Sequence, residues 1–451
     1  MQVTGEPRHD ELADSTATTI NLTQAIDASG WSSFQIRIFC LIGLAIIFDG
    51  FDNQVLGFAL PALLIEWGLE KSAFAPVLSI GLVGMTCGAA LAGSLGDRFG
   101  RKGILITCVA LFGIMTALSS LSQSLMMLGT TRFIAALGLG GAMPNAIALI
   151  AEYTPKRSRA LALSFVAVCI PLGGFVGGFI AAWVLPTMGW RTLFLIAGLA
   201  PVMFSVALVF FLPESPAYLL RTGSRSETVP LLLRKMGIAV SSDVRIVDQA
   251  EEAQSRNGFG ELFSAGLRRD TIALCAAFFA CLLAVYACFN WLPTLMTQKG
   301  YDLATSSFAL TIFNLGGVVA ALLGGWAADR FGTRMPLSAL AMCVVLSALV
   351  LALMPLDKFG MFAALLFLGA GIAGTQSVLT ALAAHVFPTA IRSTGVGTSV
   401  GFGRVGGIFS AFVGAYALTL GGSGAFFGVL ALAGLGALTS INLVSKHTSK
   451  R

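Results

Sequence analysis

Apolar residues fall into twelve stretches, each interrupted by a short polar connection. A transmembrane helix needs about 20 consecutive, mainly apolar residues. The stretches cover approximately residues 34–64, 74–96, 103–121, 125–151, 159–185, 191–212, 271–296, 304–328, 335–355, 360–386, 394–418 and 422–444. The pattern predicts an all-α polytopic membrane protein with twelve transmembrane helices.

Only one connection is long and polar, and it lies between the sixth and seventh stretches. It divides the chain into two sets of six predicted helices. We therefore expect a tail at 1–33, a six-helix bundle at 34–212, a central loop at 213–270, a second six-helix bundle at 271–444 and a tail at 445–451.

The two halves repeat each other. The segment Gly93–Lys102 recurs as Gly325–Arg334, and both carry an Asp-Arg-Phe-Gly sequence. A second match, at nearly the same offset, places Glu152 on His385 and Pro155 on Pro388. A duplicated six-helix unit is typical of transporters, in which two bundles move around a site near the bilayer midplane.

Composition agrees with a membrane protein. Of 451 residues, 56% are hydrophobic, and the 28 bases and 22 acids make only 11% charged residues, where a soluble protein has about 25%. The net charge of +6 is spread over short loops and forms no basic patch, so we expect no nucleic-acid partner.

The distribution of bases predicts the orientation. With the N-terminus inside, 22 of the 28 Lys and Arg residues lie in cytoplasmic tails and loops or at the cytoplasmic ends of spans, and four lie in outer loops. Positive loops stay on the cytoplasmic side. We expect a multi-pass protein of the cell (inner) membrane with both termini cytoplasmic.

Few ionisable residues lie inside the predicted spans, where each charge costs about 2.5–3.5 kcal/mol. At about 1.5 Å rise per residue, Asp49 and Arg132 lie at similar depth, and Arg404 lies near the midplane. A guanidinium binds a carboxylate through two parallel hydrogen bonds, so Arg404 and Arg132 are candidates for binding an organic acid. The alternative is that Arg132 and Asp49 form a permanent, purely structural ion pair.

Proton coupling is assigned to carboxylates and a histidine. Asp49 and Asp52 are three residues apart on one helix, and two carboxylates in a low-dielectric cavity do not both ionise easily. One of them is expected to take up a proton. Glu152 and His385, near the ends of the fourth and tenth spans, are further candidates, although a histidine at a helix end is more often a surface residue.

Aromatic and amide residues supply candidates for contacts to an aromatic ring. Amides in hydrocarbon need hydrogen-bond partners, and aromatic side chains hold a ring by edge or offset contacts. The candidates are Phe51, Tyr286, Asn290, Asn314 and Gln376. With 33 phenylalanines in the chain, most aromatic side chains are expected to serve packing only.

The repeated charged loop resembles the signature of the major facilitator superfamily, as does Pro213-Glu214-Ser215 after the sixth span. Within that superfamily the chain resembles the aromatic acid:proton symporters. The segments that carry this second resemblance are Asp49-Gly50-Phe51-Asp52, Glu152-Tyr153-Thr154-Pro155, Trp291-Leu292-Pro293 and Arg392-Ser393-Thr394-Gly395. The resemblance implies that the repeated loops gate the cytoplasmic side, through Asp97, Arg98, Arg101, Asp329 and Arg330.

The expected function is therefore proton-coupled import of an aromatic carboxylate of the hydroxybenzoate, benzoate or phenylpropanoate type by alternating access. Carriage of another organic anion and efflux by antiport are the alternatives; a membrane sensor or enzyme is disfavoured. No phosphate-binding loop and no metal-ligand motif occurs in the sequence, so we expect no enzyme, no metal and no cofactor. The expected partners are the substrate, protons and the lipid bilayer, with a monomeric chain.

Overall fold

The structure is a computed structural model that describes residues 19–223, 228–238, 245–247, 258–264, 266–388 and 391–448. Among these, the side chains at 19, 20, 160, 245, 247, 258 and 329 are not described.

Long helices dominate the chain. In the N-terminal part, β1 (Thr19–Asn21) and α1 (Leu22–Ala28) precede α2 (Ser33–Trp67), α3 (Lys71–Phe99), α4 (Arg101–Ser119), α5 (Leu125–Tyr153) and α6 (Lys156–Phe211). The middle contains α7 (Pro216–Thr222), α8 (Thr228–Lys235), β2 (Arg245–Val247) and α9 (Gly258–Glu261). The C-terminal part contains α10 (Arg268–Gln298), α11 (Leu303–Phe331), α12 (Arg334–Leu353), α13 (Lys358–Val386), α14 (Arg392–Leu420) and α15 (Gly422–Leu443).

Helix α6 contains two spans. Its 56 residues would extend about 84 Å at 1.5 Å per residue, far more than one bilayer crossing needs. The chain turns at Gly189, whose φ of 79° is in a region that glycine adopts readily. Eleven helices of the described residues are long and apolar enough to cross a membrane, and counting α6 twice gives the twelve predicted spans.

The two halves pack in the same way. In the N-terminal half α2 packs against α6 and α3 against α5; in the C-terminal half α10 packs against α14 and α11 against α13. In each half these pairs join the first span to the fifth and the second to the fourth. The all-α fold with two six-helix repeats is confirmed.

The region before the first span contains folded elements that the sequence reading did not anticipate. Strand β1 pairs in parallel with β2 of the central segment, and α1 buries Leu22 and Ile26. The Asp27 carboxylate accepts from the Lys156 backbone N–H at 2.8 Å and forms an ion pair with the Lys156 Nζ at 3.3 Å. These elements cover the end of the bundle where α2 begins and α15 ends, which we call the terminal end.

Cross-half contacts run from the middle of the bundle towards the other end, which we call the far end. The Gly57 Cα lies against the backbone carbonyl of Phe289, so closely that a Cβ would not fit. Nearby, the Ser79 hydroxyl donates to the Ile408 carbonyl at 2.9 Å. The halves are therefore held together on the far side of the central charged residues.

Candidate functional site

Arg404 lies between the two halves near the middle of the bundle. It belongs to α14, and its Nη1 donates to the backbone carbonyl of Met85 on α3 at 2.9 Å. The hydroxyl of Tyr286 on α10 lies 3.5 Å from the Met85 Sδ. Asp49 on α2 interacts electrostatically with Arg404. We call Asp49, Met85, Tyr286 and Arg404 the central group.

The central group gathers three residues predicted from sequence, Asp49, Tyr286 and Arg404, on three helices. Asn53, one turn after Asp49 on α2, lies beside the Tyr286 hydroxyl and was not predicted. Its only sequence signal is that of an amide within an apolar span. A carboxylate, a guanidinium, a phenol and an amide thus meet at the interface of the halves, which suits a small organic anion bound between them.

Arg132 is engaged elsewhere. Its Nη2 forms an ion pair with the Asp52 carboxylate at 3.1 Å, and its Nη1 donates to the Thr116 hydroxyl at 2.8 Å. Thr116 in turn donates to Asp52 at 2.5 Å, and the guanidinium lies 5.9 Å from the Phe194 ring centroid. The considered alternative of a structural ion pair therefore describes Arg132, but its partner is Asp52 instead of Asp49.

Asn314 is also engaged. Its Nδ2 donates to the Gln54 Oε1 at 2.8 Å, and its Oδ1 accepts from the Gln54 Nε2 at 3.2 Å. Both side chains are buried, and Gly174 on α6 leaves the space that they occupy. This reciprocal amide pair joins α2 to α11, so Asn314 contacts the other half of the protein. Gln54, which the sequence reading missed, is its partner.

The remaining predicted substrate contacts, Asn290, Gln376 and Phe51, differ in their surroundings. Asn290 is buried, and its Nδ2 has no hydrogen-bond partner; Gln376 is half-buried. Phe51 packs its ring against Gly177 of α6. Because Phe51 is two residues from Asp49, about 200° around the helix, it points away from the central group.

Glu152 belongs to a network at the terminal end. Its carboxylate accepts from the Arg101 Nε at 2.7 Å and from the Ser215 hydroxyl, and Arg101 also pairs with Asp97 at 2.9 Å. Glu152 is 20 residues from Arg132 along α5, about 30 Å at 1.5 Å per residue. The structure therefore does not bring it to Asp49. His385 is exposed at the same end, on α13.

The predicted gate residues occupy the terminal end of each half. Arg98 lies 5.3 Å from the Phe99 ring centroid, and Arg330 lies 5.7 Å from that of Trp326. The ion pairs of Arg101 remain within the N-terminal half. The side chain of Asp329, the remaining gate candidate, lies outside the described residues.

One thiol, that of Cys108 on α4, lies close enough to Asp49 to interact with it electrostatically. All eight cysteines are free. Within the described ranges no cluster of three His, Cys, Asp or Glu side chains is suited to a metal ion.

Comparison of the sequence with known protein families identifies the family of this chain. Residues 42–411 match the family described as Major Facilitator Superfamily, and a second match covers residues 274–450. The chain belongs to the major facilitator superfamily. The resemblance predicted from the charged loops is thereby confirmed.

Relatives of this facilitator have named substrates. It is 38% identical over 400 residues to the 4-hydroxybenzoate transporter PcaK of Pseudomonas aeruginosa, covering 88% of this chain and 89% of the relative. It is 33% identical over 438 residues to a gallate transporter of Pseudomonas putida, covering 96% of each. These facilitators are aromatic acid transporters, so the present chain is a transporter and not an enzyme.

The fold of the facilitator agrees with a solved structure. A D-xylose-proton symporter superposes with a TM-score of 0.70 at 18% identity, covering 92% of this chain and 98% of that one. This likeness supports the twelve-helix layout.

Proposed function

We propose that this protein is a secondary active carrier that imports an aromatic carboxylate with protons by alternating access. The observation that carries the proposal is the position of Arg404, beside Asp49 and Tyr286 at the interface of the halves. The relatives named for 4-hydroxybenzoate and gallate support an aromatic acid as the substrate.

Arg404 is the better of the two predicted guanidiniums for binding substrate. Arg132 already has a carboxylate partner, Asp52, with its charge balanced. Arg404 donates through Nη1 to a neutral backbone carbonyl, and charge-assisted hydrogen bonds are stronger than neutral ones. A substrate carboxylate therefore displaces the Met85 carbonyl and takes both prongs of the guanidinium.

Asp49 is proposed as the proton-coupling residue. Among the described residues its interaction with Arg404 is electrostatic, without the direct ion pair that Asp52 makes with Arg132. When a substrate carboxylate occupies Arg404, two anions compete for one guanidinium in a buried site. Such a pair is stabilised by a proton on one member, so substrate binding favours protonation of Asp49. Substrate and proton then bind together.

Alternating access is supported by where the halves touch. The Gln54–Asn314 pair and the Gly57–Phe289 contact lie on the far side of the central group. We interpret this arrangement as the state closed at the far end. The positive loops favour a cytoplasmic terminal end, and with that orientation we propose that the state is inward-facing. We also propose the inner membrane as the location and a monomer as the working unit.

Two alternatives remain within transport: another organic anion, or efflux by antiport. They share the anion site at Arg404 and differ in substrate and in the direction of the coupled proton. Uptake measured with the pH gradient in each direction separates import from efflux.

Replacement of Arg404 tests the proposed site. Arg404→Lys keeps the charge but removes the planar fork, and we expect the KM for 4-hydroxybenzoate uptake into proteoliposomes to rise about 10- to 100-fold, the equivalent of about 1.5–3 kcal/mol for a charge-assisted hydrogen bond. Arg221→Lys, at an exposed position outside the spans, is the control. An unchanged KM in Arg404→Lys would remove Arg404 from the substrate site.

A further inference from the structure

Three polar residues follow one face of α10 in its buried half. Tyr286, Asn290 and Thr294 are spaced four residues apart, so they lie above one another on the helix. Asn290 and Thr294 are both buried. We call these three residues the α10 polar row.

Two members of the row have an unused hydrogen-bonding group. The Asn290 Nδ2 and the Thr294 Oγ1 are buried atoms without a partner. Buried polar groups in native proteins are nearly always hydrogen-bonded, and an unpaired one needs an explanation. Two such groups on one helix face, adjoining the central group, are available to bind a polar group of a ligand.

Thr294 and Thr375 have unpaired hydroxyls, whereas several other threonines in the spans bond to their own helix. Thr86, Thr107 and Thr311 donate to the backbone carbonyl four residues earlier, at 2.9, 2.9 and 3.1 Å. That bond satisfies a threonine hydroxyl inside a helix without any external group. Thr294 does not make this bond, so its hydroxyl is available to a polar group beside Asn290.

The row begins at the central group. Tyr286 lies beside Arg404 and Asn53, and Asn290 follows one helical turn later, about 5.4–6 Å towards the far end. A benzoate whose carboxylate binds Arg404, with its ring along α10, places its far ring edge next to Asn290. Phe289 and Phe313, edge-to-face with centroids 6.2 Å apart, provide an aromatic wall beside this path.

We infer that Asn290 binds a hydroxyl group on the ring edge remote from the substrate carboxylate, with Thr294 one turn behind it on the same face. An amide both donates and accepts hydrogen bonds, so it satisfies a phenol in either role. The inference rests on the proposed function and deepens it. The site selects ring-hydroxylated aromatic acids over unsubstituted ones, and Asn290 is the residue that determines this selectivity.

The physical basis is the cost of leaving the row unpaired. A site built to hydrogen-bond a substrate hydroxyl discriminates strongly against an analogue that lacks it, because its buried polar groups then stay unsatisfied. An apolar replacement at Asn290 removes that discrimination. It does not alter the carboxylate site one turn away.

The test compares two substrates in the same variant. Asn290→Leu is reconstituted, and the inhibition constants of 4-hydroxybenzoate and benzoate are measured by competition with labelled substrate in counterflow. We expect the preference for 4-hydroxybenzoate over benzoate to fall about tenfold or more, with Thr294→Val causing a smaller fall. Asn442→Leu, which replaces an exposed amide on α15, is the control and leaves the preference unchanged.

The ratio of the constants for the two acids does not depend on how much of the variant folds, because both are measured on the same folded protein. An unchanged ratio in Asn290→Leu would overturn the inference while leaving the proposed function intact. Wild-type protein that carries neither acid would overturn both. 2-Hydroxybenzoate provides a positional check, because its hydroxyl adjoins the carboxylate, and its inhibition constant relative to benzoate is expected to stay constant in Asn290→Leu. If the preference for 2-hydroxybenzoate over benzoate fell as much as the preference for 4-hydroxybenzoate does, the assignment of Asn290 would be contradicted.

Discussion

At the scale of single residues, the four charged residues in the middle of the bundle form two pairs. One pair is directly bonded, and we call it the closed pair; the other interacts without a direct ion pair, and we call it the open pair. Asp52 and Arg132 are buried and bonded to each other and to Thr116. Arg404 and Asp49 interact across the interface of the halves without a direct ion pair. The closed pair suits a structural role, and the open pair suits exchange of a substrate and a proton.

Removal of one partner of the Asp52–Arg132 pair is expected to destabilise the N-terminal half, because the other partner is left as an unpaired buried charge. Arg132→Met leaves an uncompensated buried carboxylate, and we expect a loss of about 3–5 kcal/mol in the free energy of unfolding. The double variant Asp52→Asn/Arg132→Met removes both charges and is expected to recover much of that loss. Unfolding in detergent, followed by tryptophan fluorescence, measures both.

The exposed pair Glu66–Arg191, with Nη1–Oε1 at 2.6 Å and side chains 42% and 48% exposed, is the control. Arg191→Met is expected to cost at most about 1 kcal/mol. If Arg132→Met were as mild as Arg191→Met, or if the double variant lost the sum of both single changes, the closed pair would not have the role assigned to it.

The sequence located the charges in depth but not their partners. A rise of about 1.5 Å per residue gives depth directly, which is why the sequence predicts a similar depth for Asp49 and Arg132 and a position near the midplane for Arg404. Asp49 and Asp52 differ by about 60° around α2, and that rotation decides which one faces Arg132. Such an angle depends on the packing of α2 against α4 and α5, which no local pattern encodes.

At the scale of helices, close packing of α2 on α6 depends on glycine. The Gly173 Cα lies against the Ile47 carbonyl, and the Gly50 Cα against the Ile170 carbonyl, each too close for a Cβ. The two backbones therefore touch, as small residues allow between transmembrane helices. This contact fixes α2, which carries Asp49, relative to the helices beside it.

Gly173→Ala is expected to force the two helices apart. Because the obstructing atom is backbone, the clash cannot be relieved by a rotamer change, and overpacking of this kind costs about 1–3 kcal/mol. Thermal unfolding in detergent should show a lower midpoint. Gly81→Ala, whose added Cβ meets no atom within 4 Å, is the matched control and is expected to be neutral or slightly stabilising; equal midpoints for the two variants would contradict the packing argument.

The helices were the most predictable part of the structure, because twelve long apolar runs have one solution in a bilayer. The elements that escaped prediction are short. Strand β1 and helix α1 contain ten residues, and they are stabilised by contacts with distant segments: β1 with β2, and Asp27 with Lys156. Nothing in the local sequence distinguishes such a segment from an ordinary polar tail.

At the scale of the whole molecule, the proposed alternating access requires that the two halves separate at one end while they stay in contact at the other. Contacts between the halves towards the far end include the Gln54–Asn314 amide pair, the Gly57–Phe289 approach and the Ser79–Ile408 hydrogen bond. Opening them exposes the central group to the far side. The sequence repeat predicted the two halves, whereas which end is closed follows only from contacts between them.

The proposed proton symport requires that an aromatic acid and a proton cross the membrane together. Proteoliposomes with a trapped pH indicator test it directly, at an external pH where the acid is fully ionised and with protein-free liposomes correcting for passive diffusion. Wild-type protein is expected to acidify the lumen when 4-hydroxybenzoate is added outside, whereas Asp49→Asn exchanges labelled substrate without acidification. Substrate uptake by the wild type with no change in lumenal pH would contradict proton symport.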